Sequence, residues 1–541
     1  LEDTSARNTI TEILAELFKK TDAQTIEKMC YLLQGRVVPL YHALEFGVAD
    51  KMIIRAIAQA FEVRQDQVLE LFKKTGDLGT TAEQLNTKVT SKKLTVPHVY
   101  EQLLQVAQAQ GEGSQEIKAT LLADVLTQVD PLSARFIVRI PLNKLRLGFS
   151  DMTILDSLSW MIGGTKEYKK EMERAYNVRP DLGFLAKIIK EKGIAGLKSI
   201  KPTIGTPILM ARANRLSSPV EILQKIGKCA VEFKYDGLRL QVHYDKAVSN
   251  QLSAVSKMKQ DSLFGDQPDV VDASHGGKIK MFSRNLEEIT HMFPDIAKAL
   301  LSQIDAENCI LEGEVVAYNP HTGVFVPFQE TMQRKRKYDI AEKALEIPVK
   351  LFAFELLYCN GKSYLEEPYE IRKKELQRII KKGDTLIYAQ ESVVEDEVHI
   401  DRLFEDSVKL HFEGIIAKKL DGLYEAGMRG WSWIKYKKAM DSKLTDTIDA
   451  VVMGYTRGEG KRTSFGVGQF LVGVYDSKND CFVTVSKIGT GLTDVQFKEF
   501  IDRVKSYETK EQPRQYSFDK LLQPDVWVKP QLVVEIGSDE I

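Results

Sequence analysis

Apolar side chains recur at helical spacing through the first two hundred residues. Near the start of the chain they occupy one repeating set of positions: Ile10, Ile13, Leu14, Leu17 and Phe18. This spacing predicts an amphipathic helix with a single apolar face, and Thr9 with Glu12 fits a capping box at its start. The periodicity returns over residues 26–33, 52–61, 100–109, 117–129 and 154–162. Because no alternating stretch interrupts these segments, residues 1–202 are predicted to form one all-helical domain.

The pattern changes near Pro202. Residues 203–207 contain a glycine and a proline, which suits a linker into a new domain. Beyond this linker, apolar and polar residues alternate strictly from Leu238 to His243, as on a half-buried strand. Further strands are predicted over residues 309–318, 349–358 and 414–418, and a helix is predicted over residues 370–381. Residues 203–440 therefore predict a mixed α/β domain.

Short strand-like runs with glycine-rich turns dominate the last hundred residues. The predicted strands are residues 450–455, 468–475, 481–488 and 531–536, and a helix is predicted over residues 494–507. Short strands with one helix suit a small barrel such as an OB-fold. The predicted fold class is therefore multidomain α+β, with an all-helical domain (1–202), a mixed α/β domain (203–440) and a β-barrel OB-fold domain (441–541).

Composition and charge narrow the function only slightly. The 541 residues fit about three domains at roughly 100–200 residues per domain. With 75 basic and 76 acidic residues, the net charge is −1, so a nucleic-acid surface would require local segregation of charge. The five cysteines lie far apart, which argues against a zinc site and a disulfide framework. No apolar run of about 18 residues predicts a membrane span, and the first residues do not resemble a secretory signal.

The segment from Glu232 to Arg239 carries the first chemical signal. Lys234 ends a strand-like run, and Asp236-Gly237 suits a tight turn before the next strand. Taken by itself, this short pattern favours a β-hairpin with a solvated lysine at its tip.

Four further segments carry acids, lysines or an arginine in strand-like surroundings. They are residues 282–285 with Arg284, 310–316 with Glu314, 412–418 with Glu413 and Lys418, and 433–437 with Lys435 and Lys437. Lys435 and Lys437 are predicted to share one face of a strand, because alternate residues point the same way. Five charged segments in this order favour a catalytic site over a solvated hairpin.

These segments resemble the motifs of the covalent nucleotidyltransferases, the superfamily of DNA ligases, RNA ligases and mRNA capping enzymes. In family order, they are KxDG (234–237), SRN (283–285), EGE (312–314), EGxxxK (413–418) and WxKxK (433–437). With a helical domain in front and a β domain behind, the whole chain resembles the ATP-dependent DNA ligases, most closely the archaeal replicative type. The resemblance implies sealing of 5′-phosphate/3′-hydroxyl nicks through a lysine–AMP intermediate at Lys234 and a DNA-adenylate, in replication, repair and recombination.

The implied chemistry explains the choice of residue types. The lysine amine would attack the α-phosphate of ATP, but free lysine titrates near ~10.4 and is a poor nucleophile at neutral pH. Cationic neighbours favour loss of its proton. Lys418 could contribute to this field, and the resemblance names four catalytic residues: Lys234, Arg239, Lys435 and Lys437.

The resemblance also implies a nucleotide site and a metal site. The expected ATP-binding residues are Glu232, Lys234, Arg239, Arg284, Glu314, Phe354, Lys418, Lys435 and Lys437. Among them, Phe354 would stack on adenine, although an aromatic in an apolar strand is more often a core residue. Glu314 and Glu413 would bind Mg²⁺, with Mn²⁺ as an alternative, because hard cations prefer carboxylate and phosphate oxygens. Their alternative interpretation is as solvated acids at strand ends.

Nicked double-stranded DNA is the implied partner. Lys144 and Arg146, in the turn 141–148, resemble residues that contact the DNA backbone, and Phe328 and Arg334 resemble a segment beside the minor groove. The alternatives are a solvated helix face and an aromatic that closes a surface loop. The resemblance further suggests a monomer, a sliding-clamp partner and, in a prokaryote, a cytoplasmic location at the nucleoid.

One departure from the family concerns the C-terminal edge. The basic family motif with an Asp-Lys pair after the final strands does not occur in these residues, so the OB-fold domain is predicted to be truncated there. That motif helps to orient the pyrophosphate of ATP in the family. The hypothesis is that the chain is impaired in adenylating itself and still seals a pre-adenylated nick.

Three alternatives to this function stay open. The first is an RNA ligase or capping enzyme, against which the long helical domain argues. The second is a DNA-binding clamp without catalysis, against which the complete set of charged motif residues argues. The third is NAD as the AMP donor, although the four-cysteine zinc module of the NAD-dependent ligases is absent from the sequence.

Overall fold

The computed structural model describes residues 1–4, 6–87, 94–246, 279–334, 340–437, 447–458 and 466–537. Before residue 200 the described elements are helical. They are α1 (Arg7–Lys19), α2 (Ala23–Leu33), α3 (Asp50–Phe61), α4 (Gln65–Thr75), α5 (Leu78–Leu85), α6 (Val96–Gln108), α7 (Ser114–Leu126), α8 (Pro131–Arg139), α9 (Asp151–Gly163), α10 (Lys169–Val178), α11 (Leu182–Lys192) and a 3₁₀ turn, Ile194–Ser199.

Side-chain caps define where several of these helices begin. The carboxylates of Asp22, Asp77, Asp130 and Asp181 each accept hydrogen bonds from backbone N–H groups in the first turn of α2, α5, α8 and α11. Such caps satisfy donors that have no partner within the helix. An aspartate before an apolar run is thus the local signal that starts these helices.

The first helix departs from its prediction in two ways. It begins at Arg7 behind Ala6, which makes no side-chain cap, so the capping box at Thr9 was wrong. Leu14 and Phe18 are buried against α9, whereas Ile13 and Leu17 are 42% and 41% exposed. The apolar stripe is therefore wider than the face that the neighbouring helices cover.

The middle of the chain mixes strands and helices. The strands are β1 (Arg212–Arg215), β2 (Cys229–Lys234), β3 (Leu238–Asp245), β4 (Ile279–Ser283), β5 (Asn308–Ala317), β6 (Val349–Cys359), β7 (Lys362–Ser363), β8 (Leu386–Tyr388), β9 (Glu391–Val394), β10 (Gly414–Lys419) and β11 (Arg429–Lys437). The helices are α12 (Pro219–Ile226), α13 (Pro294–Gln303), α14 (Phe328–Met332), α15 (Ile340–Glu346), α16 (Tyr369–Ile379) and α17 (Glu397–Lys409).

These strands form two sheets. A five-stranded sheet has the order β1-β11-β10-β2-β9, and a six-stranded sheet has the order β4-β3-β5-β6-β7 with β8 paired to β6. Helices α12 and α17 cover one face of the first sheet through Ile222, Ile400 and Ile415. Helices α13 and α16 cover one face of the second through Ile296, Leu300 and Leu376. The opposite faces of the two sheets carry the charged motif residues.

The alternation in β3 has a different meaning from the one predicted. Leu240 and Val242 point into the core, as expected, but Gln241 and His243 on the other face are also 0% exposed. The strand is therefore buried on both faces, and its polar residues are held by buried hydrogen bonds rather than by solvent. An alternating pattern indicates that a strand has one apolar and one polar face. It does not show whether the polar face contacts water or buried polar groups of the protein.

A third sheet occupies the C-terminal region. Its elements are β12 (Thr447–Thr456), β13 (Gln469–Asp476), β14 (Cys481–Ile488), α18 (Asp494–Lys505), β15 (Glu508–Thr509), β16 (Tyr516–Ser517), a 3₁₀ turn (Lys520–Leu522), β17 (Val526–Val528) and β18 (Val533–Gly537). The strand order is β15-β17-β12-β13-β14-β16, with β18 paired to β12. Phe497 and Ile501 of α18 pack against Val452 and Phe470 of the sheet.

The multidomain α+β class is confirmed, with a helical first part and a sheet-rich last part. Most predicted strands differ from the observed ones by one to three residues at an end, and residues 481–488 agree at both ends. All five cysteines are free, and four of them are buried. Among the described residues, no helix combines the length and the apolar character that crossing a membrane requires.

Candidate active site

Lys234 lies where the chain crosses from one sheet to the other. It ends β2 in the five-stranded sheet, and β3, which begins at Leu238, belongs to the six-stranded sheet. The hairpin interpretation was therefore wrong, because these two strands do not pair. Gly237 permits the crossing: a Cβ there would lie 2.1 Å from the carbonyl oxygen of Val315. The turn is thus pressed against β5, and Lys234 is held between the two sheets.

Glu413 connects Lys234 with a second lysine. Gly414 pairs with Lys234 on one side and with Lys437 on the other, and the Glu413 N–H donates to the Lys234 carbonyl at 3.0 Å. Lys234 Nζ contacts Glu413 Oε2, and Lys437 Nζ lies 2.5 Å from the same oxygen. Burial by itself would raise the pKa of Glu413, but Lys234 and Lys437 outweigh it and hold that pKa below its usual value. The carboxylate therefore stays charged between two ammonium groups.

Lys435 has a different environment. It lies two residues before Lys437 on β11, and no carboxylate among the described residues is within ion-pair distance of its Nζ. Burial lowers its pKa, and the positive charges of Lys437, Lys234, Arg429 and Arg215 lower it further. The face of β11 therefore carries positive charge beyond what Glu413 neutralises, which suits phosphate oxygens.

Glu314 is the acid on the opposite sheet. It pairs in register with Arg239 on β3 and with Phe352 on β6. Burial raises its pKa to about 8; the positive charges of Lys234 and Arg239 oppose this shift, and the negative charges of Glu413 and Asp236 add to it. Burial also raises the pKa of Asp236, with a contribution from Glu413. A carboxylate that is costly to ionise without a cation is a suitable ligand for one.

Glu314 and Glu413 fit a divalent cation whose remaining coordination positions are filled by substrate and water. Within the described parts of the chain, no three side chains of histidine, cysteine or acids converge into a closed metal site. Mg²⁺ typically takes only one or two carboxylates, with phosphates and water filling the other positions. Glu314 and Glu413, close enough to influence each other's charge, match that requirement.

Arg239 is fixed by a buried network that joins β3, β5 and the segment before β1. Its guanidinium donates to Glu312 Oε2 at 2.6 Å and to the Ala211 carbonyl at 2.7 Å. Glu312 Oε1 also accepts from Tyr424 Oη at 2.8 Å and from Gln241 Nε2 at 3.1 Å. Glu312, 0% exposed, holds the pKa of Arg239 above its usual value despite burial. The guanidinium is thus oriented before any ligand arrives.

Glu232 and Lys418 form a second buried network, on neighbouring strands. Lys418 Nζ lies 2.7 Å from Glu232 Oε2. Lys373 Nζ contacts Glu232 Oε1, and Tyr369 Oη donates to the same oxygen at 2.7 Å. Burial would raise the pKa of Glu232, but Lys373 and Lys418 reverse that effect and lower it. The Glu232 side chain is therefore engaged by three protein groups.

Phe354 lies between these two networks. The guanidinium carbon of Arg239 lies 5.4 Å from its ring centroid, and Lys418 Nζ lies 5.0 Å from it. Lys418 also donates to the Phe354 carbonyl at 3.1 Å, which joins the five-stranded sheet to the six-stranded one. The Trp433 ring meets Phe354 edge to face, 6.1 Å between centroids. The structure thus places two other expected nucleotide residues, Arg239 and Lys418, around the half-buried Phe354 ring.

Three models of domains match the chain. The DNA ligase N terminus matches residues 1–159, the ATP dependent DNA ligase domain matches residues 270–437, and the ATP dependent DNA ligase C terminal region matches residues 463–541. A probable DNA ligase of Dictyoglomus turgidum is 41% identical over 544 residues, covering 100% of this chain and 87% of the relative. A DNA ligase of Hyperthermus butylicus is 38% identical over 563 residues, with the same coverage.

The chain belongs to the ATP-dependent DNA ligase family. The matched range of the middle model begins after Lys234, whereas the alignments with the relatives cover the whole chain. A solved structure named Pmar-Lig_PreS3 shares the fold with a TM-score of 0.50 at 16% identity, covering 94% of this chain and 93% of that chain. The family resemblance that the five motifs suggested is confirmed.

Arg284 lies apart from the ion pairs, in the turn after β4. Its side chain is exposed, and Leu286, two residues later, has φ of +66°. Leu286 and Phe282 pack with Tyr41 of the helical region. The helical part of this ligase-family chain therefore supports the turn that presents Arg284.

The residues expected to contact DNA divide into two groups. Lys144 lies 3.6 Å from Asp50, and Arg146, with φ of +58°, pairs with Asp77 at 2.8 Å. Both side chains retain solvent exposure. Phe328 is half-buried at the start of α14, and its N–H donates to Asp236 Oδ2 at 3.4 Å. The proposed minor-groove segment is thereby attached to the turn that carries Lys234.

Arg334 does not fit the expected DNA contact. Its side chain is 1% exposed, and its guanidinium donates to both carboxylate oxygens of Asp295, at 2.8 and 3.0 Å. The guanidinium carbon also lies 5.1 Å from the Phe293 ring centroid. An arginine in a basic run can face inward when α13 offers a carboxylate, so this buried ion pair argues against the expected DNA contact, which stays a prediction. Residues 335–337, the rest of that run, lie outside the described residues.

Sequence reasoning missed the residues that orient the site. Gln241, Glu312 and Tyr424 fix Arg239, while Tyr369 and Lys373 hold Glu232. Glu312 lies within the EGE motif, two residues before Glu314, so its position offered one signal. Tyr424 and Lys373 offered none, because only the tertiary fold brings them next to the motif residues.

Proposed function

We propose that the chain seals 5′-phosphate/3′-hydroxyl nicks in duplex DNA with ATP, through a lysine–AMP intermediate at Lys234 and a DNA-adenylate. The main observation in support of this proposal is the position of Lys234 between two sheets, in contact with Glu413 and beside Lys435 and Lys437. An amine at that position can reach a phosphate that the surrounding cations hold.

In the first step, the Lys234 nitrogen forms a bond to the α-phosphorus, and the bond from that phosphorus to the pyrophosphate oxygen breaks. The proton that the Lys234 ammonium group must lose goes to solvent, because Glu413 stays charged between two ammonium groups. Lys435 and Lys437 stabilise the negative charge on the phosphates. Glu314 and Glu413 would hold Mg²⁺, or Mn²⁺ in its place, which supplies further positive charge to the phosphate oxygens.

The two buried networks support a role in holding the nucleoside. Arg239 and Phe354 present a guanidinium and an aromatic ring on one side, and Glu232 and Lys418 form an ion pair on the other. We propose that adenine stacks on Phe354. Three protein groups already bind the Glu232 carboxylate. Glu232 therefore holds Lys418 in position at the base of the proposed nucleotide site.

In the later steps, AMP passes to the 5′-phosphate of the nick, and the 3′-hydroxyl then displaces AMP and closes the strand. Arg284, which is exposed in the turn after β4, would bind phosphate oxygens. Lys144, Arg146 and Phe328 are the proposed contacts to nicked duplex DNA. Phosphate contacts suit an enzyme that acts at any sequence, because they carry no base information.

The proposed organisation is a helical DNA-binding domain (1–202), an adenylation domain (203–440) and an OB-fold domain (441–541). The seven-stranded sheet with one helix supports the last of these. Closure of the OB-fold domain over the site between steps would exclude water. We propose further that the chain acts as a monomer at the nucleoid in replication, repair and recombination, with a sliding clamp as partner.

Labelling and sealing test the proposal in two arms. The first measures intact mass after incubation with ATP and Mg²⁺, for the parent, Lys234→Ala and the control Lys374→Ala, whose lysine is exposed on α16. A gain of one AMP is expected only where Lys234 is present. The second arm supplies a pre-adenylated nick, which all three proteins should seal, because Lys234 acts before that intermediate forms.

The two arms separate the alternatives. AMP on the Lys234→Ala protein would contradict the assignment of the nucleophile. Sealing without labelling in the parent would support impaired self-adenylation, whereas the absence of both activities would favour a DNA-binding clamp. A strong preference for nicked RNA would favour an RNA ligase.

A further inference from the structure

The outer edge of the five-stranded sheet carries an arginine that the motifs do not include. Arg215 ends β1 and pairs in register with Lys435 on β11. The Leu216 N–H donates to the Lys435 carbonyl at 3.4 Å, which extends this pairing by one residue. Side chains of directly paired residues project from the same face of a sheet. Arg215 therefore projects from the face that carries Lys435.

This face is the one that carries the active site. The opposite face of the sheet packs on α12 and α17 through Ile415 and Ile434. Lys435 and Lys437 alternate with these buried positions: Lys437 is in register with Lys234 through Gly414, and Lys435 lies one row away, in register with Glu232 through Ile416. Neighbouring strands lie about 4.8 Å apart, so Arg215 is one strand beyond Lys435 on the open side of the site.

Within the described residues, no carboxylate pairs with the positive charge at this edge. Arg215, Arg429 and Lys435 form no ion pair with a carboxylate among the described residues. Glu425, which precedes β11 and whose carboxylate lies beside Gly430, pairs with none of the three among the described residues. Arg215 and Arg429 are exposed, and both lie close enough to depress the pKa of Lys435. Three neighbouring cations repel one another until an anion binds among them.

We propose that Arg215 and Arg429, together with Lys435, form a phosphate-binding subsite at the β1–β11 edge of the sheet. The subsite rests on the proposed function, because it lies beside the nucleophile and would hold a phosphate group other than the one that reacts. Guanidinium groups bind phosphate oxygens in pairs and lose less hydration than an ammonium does. The combined positive charge of Arg215, Arg429 and Lys435 suits a phosphate dianion or a diphosphate.

Two sources can supply this chemistry. One is the pyrophosphate end of ATP, which must lie near the α-phosphate at Lys234. The other is a backbone phosphate of the nicked duplex as it crosses the open edge of the sheet. Both are phosphate oxyanions. Neutralising Arg215 would weaken the binding of the pyrophosphate group in the first case and the binding of DNA in the second.

The test compares Arg215→Gln, Arg215→Lys and the control Arg402→Gln in the full 541-residue chain. Arg402 is an exposed arginine on α17, behind the same sheet. One arm titrates inorganic pyrophosphate by calorimetry. The other measures binding of a nicked duplex over a series of salt concentrations. Thermal unfolding verifies that each variant is folded, which is expected because Arg215 is exposed.

Loss of binding in either arm supports the subsite and identifies its ligand. If pyrophosphate is held there, Arg215→Gln weakens its binding about tenfold, and Arg215→Lys weakens it less. If DNA is held there, Arg215→Gln makes the plot of log affinity against log salt less steep by about 0.9 per lost phosphate contact. Arg402→Gln should match the parent in both arms.

Equal binding of both probes by the parent and Arg215→Gln would overturn the subsite. These arms measure binding without turnover, so they are independent of labelling at Lys234. A chain that is labelled at Lys234 and shows no effect of Arg215 refutes the subsite alone. A chain in which Arg215 matters and Lys234 is never labelled refutes the catalytic proposal alone.

Discussion

Lys234 is in direct contact with the carboxylate of Glu413, and the two residues also share a backbone hydrogen bond, from Glu413 N–H to the Lys234 carbonyl. The nucleophile and its counter-ion therefore move together, because both are fixed by the pairing of β2 with β10. A ligand that draws Glu413 toward itself would leave Lys234 among the positive charges of Lys435 and Lys437. Ligand binding and activation of the amine are thus linked through one carboxylate.

Glu413→Gln is expected to separate the reactivity of Lys234 from catalysis. Without the negative charge, neighbouring cations favour the uncharged amine. Lys234 should then react faster with a neutral amine-modifying reagent in the absence of ATP, as measured by peptide mass spectrometry. AMP transfer should fall by about a hundredfold or more, because a carboxylate that can hold Mg²⁺ is lost. Unchanged reactivity of Lys234 would show that Glu413 does not control the amine.

Glu314→Gln is expected to alter how stability depends on pH. Burial raises the pKa of Glu314 from 4.5 to about 8, so the folded state disfavours the charged carboxylate. The stability present below pH 4.5 is lost progressively as pH rises to about 8. The melting temperature of Glu314→Gln, relative to the parent without Mg²⁺, should therefore rise between pH 5 and 8 and then level off.

A matched control distinguishes this effect from a general loss of negative charge. Glu405 is an exposed glutamate on α17, and Glu405→Gln should show no such pH trend. Added Mg²⁺ at pH 8.5 should stabilise the parent more than Glu314→Gln. A flat difference between Glu314→Gln and the parent across the pH range would contradict the raised pKa of the half-buried Glu314 carboxylate.

Arg334→Ala is expected to lower stability without weakening DNA binding. The Arg334 side chain is 1% exposed and binds Asp295 through both carboxylate oxygens. Removing one partner of a fully buried pair costs about 3–5 kcal/mol, and a smaller loss is expected here because Asp295 is partly exposed. Phe328→Ala should show the opposite pattern, with weaker binding of nicked DNA and little change in unfolding. Chemical denaturation and a DNA-binding titration measure the two effects, and loss of DNA affinity at near-normal stability in Arg334→Ala would restore the original expectation.

Gln241→Leu is expected to raise the KM for ATP as well as lower stability. Gln241 bonds both backbone groups of Ile208 and supports Glu312, which in turn orients Arg239. Leaving these buried groups without a partner costs about 3 kcal/mol. Gln303→Leu is the control, because Gln303 also bonds buried backbone groups but lies away from the site. Only Gln241→Leu should change the KM, and equal KM values would assign Gln241 a purely structural role.

The sequence by itself determined the class of the fold and the family to which the chain belongs. Helical periodicity and strand alternation depend on local spacing, so they identified the helical first part and the strands near the motifs. The motif lysines and acids have reactive groups whose order along the chain is specific. The approximate limits of β5, β6 and β14 were accessible for the same reason, since turns and apolar runs are local signals.

Only the tertiary structure decided which side chains face each other and which face water. Whether Lys234 ends a hairpin or crosses between two sheets depends on the partners of β2, which lie some 180 residues away in the chain. The inward turn of Arg334 depends on Asp295, and the buried state of His243 depends on the segment around Gly205. Burial and pairing are set by contacts between distant segments, which local periodicity does not contain.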